Sequence, residues 1–166
     1  MKVLAILFFI LLSPFSICIA IIISISTQSH FIFKQKRIGK DKNTFTIYKF
    51  KSMHNNKIFM FGKVIRKLGL DEIPQLVNII KNEMSFVGPR PLTEFDIDRL
   101  GWNKKSHSKR WSVKPGITGF AQLLKTCNAD LSLQNDFNYI DNKSTKLDLT
   151  IFFKSILVPF VGKLTK

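Results

Sequence analysis

Two adjacent carboxylates, Asp71 and Glu72, and one arginine between two prolines, Arg90, are the residues of this chain best suited to chemistry on a phosphate group. A carboxylate can attack phosphorus and form a covalent intermediate. Carboxylate oxygens are also ligands that Mg²⁺ prefers, and a guanidinium can bind two phosphate oxygens at once. The chain has 26 Lys and Arg against 11 Asp and Glu, so an adjacent acidic pair stands out.

A helical pattern follows the two carboxylates. Pro74 suits a first helical turn. The apolar residues that recur at helical spacing are Ile73, Leu76, Val77, Ile80 and Met84. We therefore expect a helix over residues 73–84 with the acids at its N-terminus, where free N–H groups favour the ionised form. Taken alone, acids before a proline are more often ordinary helix capping.

Arg90 is restrained by its neighbours in sequence. Pro89 and Pro91 each fix φ at about −65° and bias the preceding residue toward extended backbone. The Arg90 side chain should then project from a stiff loop and bind an anion at little entropic cost. Taken alone, Pro-Arg-Pro is more often a plain loop.

Together these residues resemble the catalytic segment of the bacterial sugar transferase family, the monotopic phosphoglycosyl transferases. The similar stretch, residues 70–92, reads LDEIPQLVNIIKNEMSFVGPRPL. The same family is resembled by residues 33–39 leading to 45–53, by residues 114–122, and by residues 136–139 with Ser144 and Asp148. With Ser13-Pro14 in the apolar N-terminus, the resemblance covers nearly the whole chain.

The resemblance implies an enzyme that transfers a sugar 1-phosphate from a nucleotide diphosphate sugar, such as a UDP-sugar, to polyprenyl (undecaprenyl) phosphate. This step would initiate synthesis of a surface polysaccharide or glycoprotein glycan. Asp71 would be the nucleophile and would carry the phosphosugar covalently. Asp71 and Glu72 would share Mg²⁺, and Arg90 would bind phosphate, with Lys49 as a weaker candidate for the same work.

Further site residues are implied by the resemblance alone. As substrate or phosphate ligands they are Arg37, Arg110, Asp136 and Asp148, with Gln35 as an additional candidate. Each of them could instead be a structural salt-bridge partner. The turn-forming residues Pro115, Gly116 and Gly119 are expected to place backbone near the site.

The N-terminal segment indicates a membrane element. Apart from Lys2, no Asp, Glu, Lys or Arg precedes Lys34. Residues 3–25 are long enough to cross a hydrocarbon core of about 30 Å. Because Pro14 removes a helix hydrogen bond, we expect a bend there, with the Ser13 hydroxyl helping to satisfy a freed carbonyl. The family resemblance implies that the segment is a re-entrant helix-break-helix. A kinked spanning helix is the alternative, and a cleaved signal peptide fits poorly because the apolar run is too long.

We expect a mostly α fold with little β. Residues 1–30 would be embedded in the inner membrane, and residues 31–166 would form a cytoplasmic catalytic domain, since residues 34–67 are strongly basic. A strand or an extended turn is expected over residues 45–50, and a helix over residues 59–67. Residues 147–164 should form an interfacial helix on the bilayer, or equally a core helix that ends at Pro159.

The net charge of +15 raises the question of a nucleic-acid partner. None is expected, because zinc spacing, an aromatic RNA-binding signature and a helix-turn-helix pattern are all missing from the sequence. The expected partners are the nucleotide diphosphate sugar, polyprenyl phosphate and the lipid bilayer, with a homodimer left open. A basic, membrane-anchored adaptor without catalytic activity is the alternative function.

Overall fold

The computed structural model of the protein describes residues 1–124 and 128–161. These residues belong to two compact units. The first unit comprises residues 1–35 and 46–82, and the second comprises residues 36–45 and 83–166. The predicted division at residue 30 into a membrane part and a catalytic part stays a prediction.

The fold is mostly helical with small two-stranded sheets, as predicted. The helices are α1 Lys2–Thr27, α2 Met60–Lys67, α3 Leu76–Ile80, α4 Glu94–Arg99, α5 Phe120–Leu123, α6 Ala129–Asp141 and α7 Thr145–Val161. The strands are β1 Ile32–Ile38, β2 Thr44–Phe50, β3 Met53–His54, β4 Lys57–Ile58, β5 Ser85–Val87 and β6 Gly116–Thr118. They pair as β1 with β2, β3 with β4 and β5 with β6. Strand β2 and helix α2 confirm the predictions for residues 45–50 and 59–67.

Helix α1 is the one helix of the described ranges that is long and apolar enough to cross a membrane. It runs through Pro14 without the predicted break. Pro14 lacks an N–H, so the carbonyl of Ile10 loses its usual helical donor. The Ser13 hydroxyl donates to that carbonyl at 2.8 Å, which confirms the predicted role of Ser13. A re-entrant path through the bilayer stays a prediction.

The first unit has a core that joins α1 to α2. Ile19 and Ile23 of α1 pack with Phe50 of β2 and Ile65 of α2, all of them buried. Gly62 permits the close approach of α2, because a Cβ at this position would collide with the carbonyl oxygen of Ser52. The core therefore fixes the start of the segment that leads to the acidic pair.

The helix predicted over residues 73–84 is shorter in the structure. A 3-10 helix, Leu70–Gln75, comes first, and α3 covers only Leu76–Ile80. Asn82 adopts a φ of 69°, a left-handed conformation that is typical of residues just beyond a helix C-terminus. Met84 is buried but lies outside the helix, so its apolar side chain reflects burial rather than helical periodicity.

Helix α7 combines the two alternatives considered for the C-terminal segment. Its Ile151 is buried in the second unit with Val87, Leu123 and Tyr139. Leu147, Phe152 and Val158 pack partly buried against the same cluster. Five other large apolar side chains of α7 are exposed, at Leu149, Phe153, Ile156, Leu157 and Phe160. Pro159 lies inside the helix instead of ending it. Residues 162–164 of the predicted interfacial helix lie outside the described residues.

Candidate active site

A tight turn presents Asp71 and Glu72. Gly69 has a φ of 71°, in the left-handed region that glycine adopts without steric cost. The 3-10 helix Leu70–Gln75 begins directly after it and holds both acids in its first turn. The capping position is occupied by Gly69, which has no side chain, so ordinary capping does not account for the acidic pair.

Lys49 and Glu72 form a close ion pair. The Lys49 ammonium donates to Glu72 Oε1 at 2.6 Å, and the two side chains are 18% and 25% exposed. Lys49 lies on β2, so 23 positions of sequence separate the partners. The lysine is therefore not a solvated strand residue, and the ion pair brings a cation to the acidic turn.

Asp71 is held in a partly buried position that disfavours its charge. Burial raises the pKa of its carboxyl above the ordinary value, and the neighbouring charge of Glu72 raises it further. The charges of Lys49 and Arg66 act in the opposite direction. A backbone hydrogen bond also lowers the pKa of Asp71, as predicted for the helix end. Burial and the second carboxylate outweigh this bond and the cations, so the net shift of the pKa is upward, contrary to the expectation of an ionised group.

Arg66 is a candidate residue that the sequence reasoning missed. It lies in the last turn of α2 and is exposed. Its guanidinium has no ion pair or side-chain hydrogen bond within the described part of the chain, yet its charge lowers the pKa of Asp71. The sequence could have indicated Arg66, because it lies only five residues before Asp71 and Gly69 between them permits a tight turn.

Asn78 ties the strand of Lys49 to the helix that follows Asp71. Its polar side chain is fully buried, and its neighbours along α3 are apolar. Its amide nitrogen donates to the Thr46 carbonyl at 2.7 Å, and its Oδ1 accepts from the Tyr48 N–H at 3.2 Å. These bonds fix β2 against α3. In the sequence, a single asparagine within an apolar run could have indicated this buried hydrogen-bonding role.

In the second unit, Arg90 projects from a restrained loop, residues 87–92, as the flanking prolines predicted. The Arg90 side chain is exposed and has no ion pair or hydrogen bond to any described residue. The Pro89 carbonyl accepts from the Gly116 N–H at 3.0 Å, and the Leu92 carbonyl accepts from the Ile38 N–H at 2.8 Å. The backbone is thus held on both sides of a free guanidinium.

Glycines make the close backbone packing beneath this loop possible. Strands β5 and β6 pair in parallel, with Val87 opposite Thr118. A Cβ at Gly116 would collide with the Gly88 nitrogen, and a Cβ at Gly119 would collide with the Gly88 carbonyl oxygen. The predicted turn-forming glycines therefore support the Arg90 loop.

Arg37 lies beside the same loop. Its Nη1 donates to the Pro91 carbonyl at 3.3 Å and to Asp96 Oδ2 at 3.4 Å. Burial lowers the pKa of Arg37, and the charge of Arg90 lowers it further, while Asp96 raises it. Arg37 is thus a salt-bridge partner, and the two guanidinium groups are close enough to repel each other.

Arg110 and Asp136 form a buried ion pair. Arg110 Nε lies 2.9 Å from Asp136 Oδ2, and the side chains are 3% and 5% exposed. Burial raises the pKa of Asp136, and the neighbouring guanidinium opposes that shift. For these residues the structure favours the salt-bridge alternative over direct contact with a ligand.

Asp148 is bonded to a buried tyrosine. The Tyr139 hydroxyl donates to Asp148 Oδ1 at 2.7 Å and lies 3.2 Å from the Val87 carbonyl oxygen. Burial and the bond to Asp148 raise the pKa of Tyr139, which stays protonated. Asp148 thus supports the residue at the start of the Arg90 loop.

Comparison with known proteins places these groups in a family. The family model of bacterial sugar transferases matches residues 2–162. This chain belongs to the bacterial sugar transferase family. The resemblance seen in the catalytic segment is confirmed.

Three relatives of this chain illustrate the similarity. An undecaprenyl-phosphate N-acetylgalactosaminephosphotransferase of Aeromonas hydrophila that is named for UDP-N-acetylgalactosamine is 36% identical over 92% of this chain and 40% of its own length. The UDP-glucose:undecaprenyl-phosphate glucose-1-phosphate transferase of Escherichia coli (strain K12) is 32% identical over 97% of this chain and 39% of its own length. The sugar transferase EpsL of Bacillus subtilis (strain 168) is 36% identical over 78% of this chain and 70% of its own length. This chain thus spans about two fifths of the first two relatives.

The acidic pair, Asp71 and Glu72, has the donor chemistry that suits a magnesium ion. In residues 1–124 and 128–161, no cluster of three or more His, Cys, Asp or Glu side chains could hold a metal. Mg²⁺ needs only one or two carboxylates, because water and phosphate oxygens complete its octahedron. The charge of Glu72 raises the pKa of Asp71, and a cation shared by the two acids would relieve that repulsion. The donor set therefore fits Mg²⁺.

The candidate site residues of this chain fall into two groups. The first unit brings together Asp71, Glu72 and Lys49, with Arg66 as an addition. In the second unit, Arg37 and Arg110 donate hydrogen bonds to the backbone of the Arg90 loop. Asp136 binds Arg110, and Asp148 binds Tyr139, whose hydroxyl lies beside the Val87 carbonyl. Each group is assembled from residues distant in sequence, which local patterns alone do not pair.

Proposed function

We propose that this sugar transferase moves a sugar 1-phosphate from a nucleotide diphosphate sugar, a UDP-sugar, to undecaprenyl phosphate. The observation that carries the proposal is Asp71 beside the Lys49–Glu72 ion pair, with the free Arg66 nearby. The names of the Aeromonas and Escherichia relatives support the acceptor and the kind of donor. The product would initiate a surface glycan.

In the first proposed step, a carboxylate oxygen of Asp71 attacks the sugar-linked phosphorus of the donor. A P–O bond forms, the bond to the nucleotide breaks, and nucleoside monophosphate leaves with the electron pair. In the second step an oxygen of undecaprenyl phosphate attacks the same phosphorus and frees Asp71. Two such displacements divide a difficult transfer into two easier ones.

Asp71 must be ionised to attack, although its surroundings favour the protonated form. The positive charges of Lys49 and Arg66 lower the pKa of Asp71 and so increase the ionised fraction. Once the donor is bound, the same cations can offset the charge on phosphate oxygens. We assign Arg90 to phosphate binding because its guanidinium is free and its backbone is held.

Mg²⁺ is proposed as the cofactor, with Asp71 and Glu72 as its protein ligands. When bound, it would neutralise charge on the diphosphate and make the nucleotide a better leaving group. Lys49 would keep Glu72 oriented through their 2.6 Å contact.

The bilayer is proposed to hold the enzyme through α1 and the exposed apolar face of α7. An outer face with five large apolar side chains suits the interfacial region of a membrane. The basic segment over residues 34–67 supports an inner-membrane location with the catalytic residues on the cytoplasmic side.

The test uses membranes that contain the full chain, undecaprenyl phosphate, Mg²⁺ and a panel of nucleotide diphosphate sugars. We expect release of nucleoside monophosphate with at least one donor, and its loss in Asp71→Asn. Asp41→Asn is the matched control, because Asp41 is an exposed acid with only a long contact to Lys40. An inactive but correctly inserted wild type would favour the adaptor.

A further inference from the structure

Arg110 is a buried charged residue, and two of its three side-chain nitrogens, Nε and Nη2, are hydrogen-bonded inside the protein. Its side chain is only 3% exposed, and its guanidinium carbon lies 5.1 Å from the ring centroid of Trp102 and 4.9 Å from that of Trp111. Its Nε donates to Asp136, and its Nη2 donates to the backbone carbonyl of Arg90 at 2.7 Å. A guanidinium held in this way is poorly placed to contact a soluble ligand.

A buried ion pair needs an explanation other than stability. Removing two charges from water is expensive, and apolar replacements of similar volume are often as stable. What the pair adds is geometry, because a guanidinium is a planar fork with fixed donor directions. Asp136 and the two tryptophans fix the plane, which directs Nη2 at one point.

That point is the carbonyl of Arg90. The neighbouring carbonyls are held by different donors: the Gly116 N–H at Pro89 and Arg37 Nη1 at Pro91. Arg110 therefore supplies the central one of three consecutive anchors along the loop. Without Arg110, the Arg90 carbonyl would lose its hydrogen bond, while the carbonyls of Pro89 and Pro91 on either side would keep theirs.

We propose that Arg110 is a positioning residue for Arg90. By holding the Arg90 carbonyl, it fixes the direction in which the free guanidinium leaves the loop. The inference rests on the proposed function in assigning Arg90 to phosphate binding. It does not require Arg110 to touch the substrate.

The variants are chosen to keep the protein folded. Arg110→Lys keeps the charge and removes the planar fork, and Arg110→Met with Asp136→Leu replaces the buried pair by apolar side chains. Lys109→Gln with Asp141→Asn is the matched control, because this exposed ion pair joins the same 3-10 helix, Lys105–Ser112, to α6. We expect the control to retain wild-type activity.

A double-mutant cycle with Arg90→Ala separates positioning from a general structural role. In the wild-type background, Arg110→Lys should lower kcat/KM for the nucleotide sugar about 10-fold, mainly by raising KM. In the Arg90→Ala background it should have no further effect. Equal losses in both backgrounds would overturn the proposal.

Hydrogen exchange gives a second readout that needs no activity. The peptide over residues 86–95 should exchange faster in the Met–Leu double variant than in the wild type or in the Lys109–Asp141 control. Unchanged exchange would overturn the positioning role even in an active enzyme. If the wild type releases no monophosphate from any donor, the proposed function fails, and exchange alone decides whether Arg110 holds the loop.

Discussion

The Lys49 ammonium lies 2.6 Å from a carboxylate oxygen of Glu72. This contact joins β2 to the turn that carries Asp71, and it is reinforced by the hydrogen bonds of Asn78 to Thr46 and Tyr48. The charge of Lys49 lowers the pKa of Asp71, while burial and Glu72 raise it. The pKa of Asp71 therefore depends in part on a lysine that is distant in sequence.

Replacing Lys49 by Met should impair transfer. The pKa of Asp71 should rise further, so that a smaller fraction is ionised at a given pH, and Glu72 should lose its orienting partner. We expect activity to fall about 10²-fold at neutral pH, and the acid limb of the pH–activity profile should move to higher pH. Monophosphate release against pH at fixed Mg²⁺ measures both effects. Lys57→Met, at an exposed position of β4, should behave as the wild type, and an unshifted profile in Lys49→Met would argue against the coupling.

Arg66→Gln should act in the same direction but with a marked dependence on salt. Arg66 is exposed, so its influence on Asp71 is screened as ionic strength rises. We expect the difference in activity from wild type to be largest at low salt and to shrink at high salt. Lys63→Gln, on the preceding part of α2, is the control. A loss of activity that is the same at all salt concentrations would contradict an electrostatic role.

Asp71→Asn should stabilise the fold in metal-free buffer while it removes activity. Because the folded-state pKa of Asp71 is raised, the folded protein holds this proton more tightly than the unfolded chain does. Stability therefore falls as pH rises from the unfolded pKa of Asp71 through its folded value, and the cost persists above that range. An amide avoids it. Thermal unfolding should give a higher Tm for the variant at neutral pH and no difference at strongly acid pH, whereas a lower Tm at neutral pH would contradict the assignment.

Ser13→Ala should destabilise α1, because the Ile10 carbonyl would lose its donor. An unsatisfied polar group in an apolar setting costs about 1–3 kcal/mol. Adding Pro14→Ala restores a backbone N–H at the required position and should recover the loss. Thermal unfolding in lipid nanodiscs measures both variants, with Ser16→Ala as the control. Failure of the second substitution to rescue the first would show that the Ser13 bond is unimportant.

The sequence predicted what depends on local chemistry. Two prolines sufficed to predict a projecting Arg90, and Pro14 sufficed to predict the bond of Ser13. Helix length was misjudged, because buried Met84 continued the apolar pattern beyond the turn at Asn82.

Long-range pairing was beyond the sequence. Nothing local to Lys49 indicates Glu72 as its partner, and nothing local to Arg110 indicates that it holds the Arg90 carbonyl. The pKa of Asp71 was misjudged for the same reason, since its burial is a property of the folded unit and not of the helix end. The family resemblance indicated the candidate site residues. The structure shows which of them have free charged groups and which of them hold those residues in place.

In the proposed mechanism, Asp71 becomes covalently attached to the phosphosugar. The most direct measurement is rapid acid quenching of the full-length enzyme with donor and Mg²⁺ in the absence of undecaprenyl phosphate, followed by mass spectrometry of its peptides. We expect a peptide containing Asp71 that is heavier by one phosphosugar. This added mass should be missing in Asp71→Asn and should be lost when the acceptor is added. Product formation with no adduct at Asp71, or with an adduct on another residue, would contradict it.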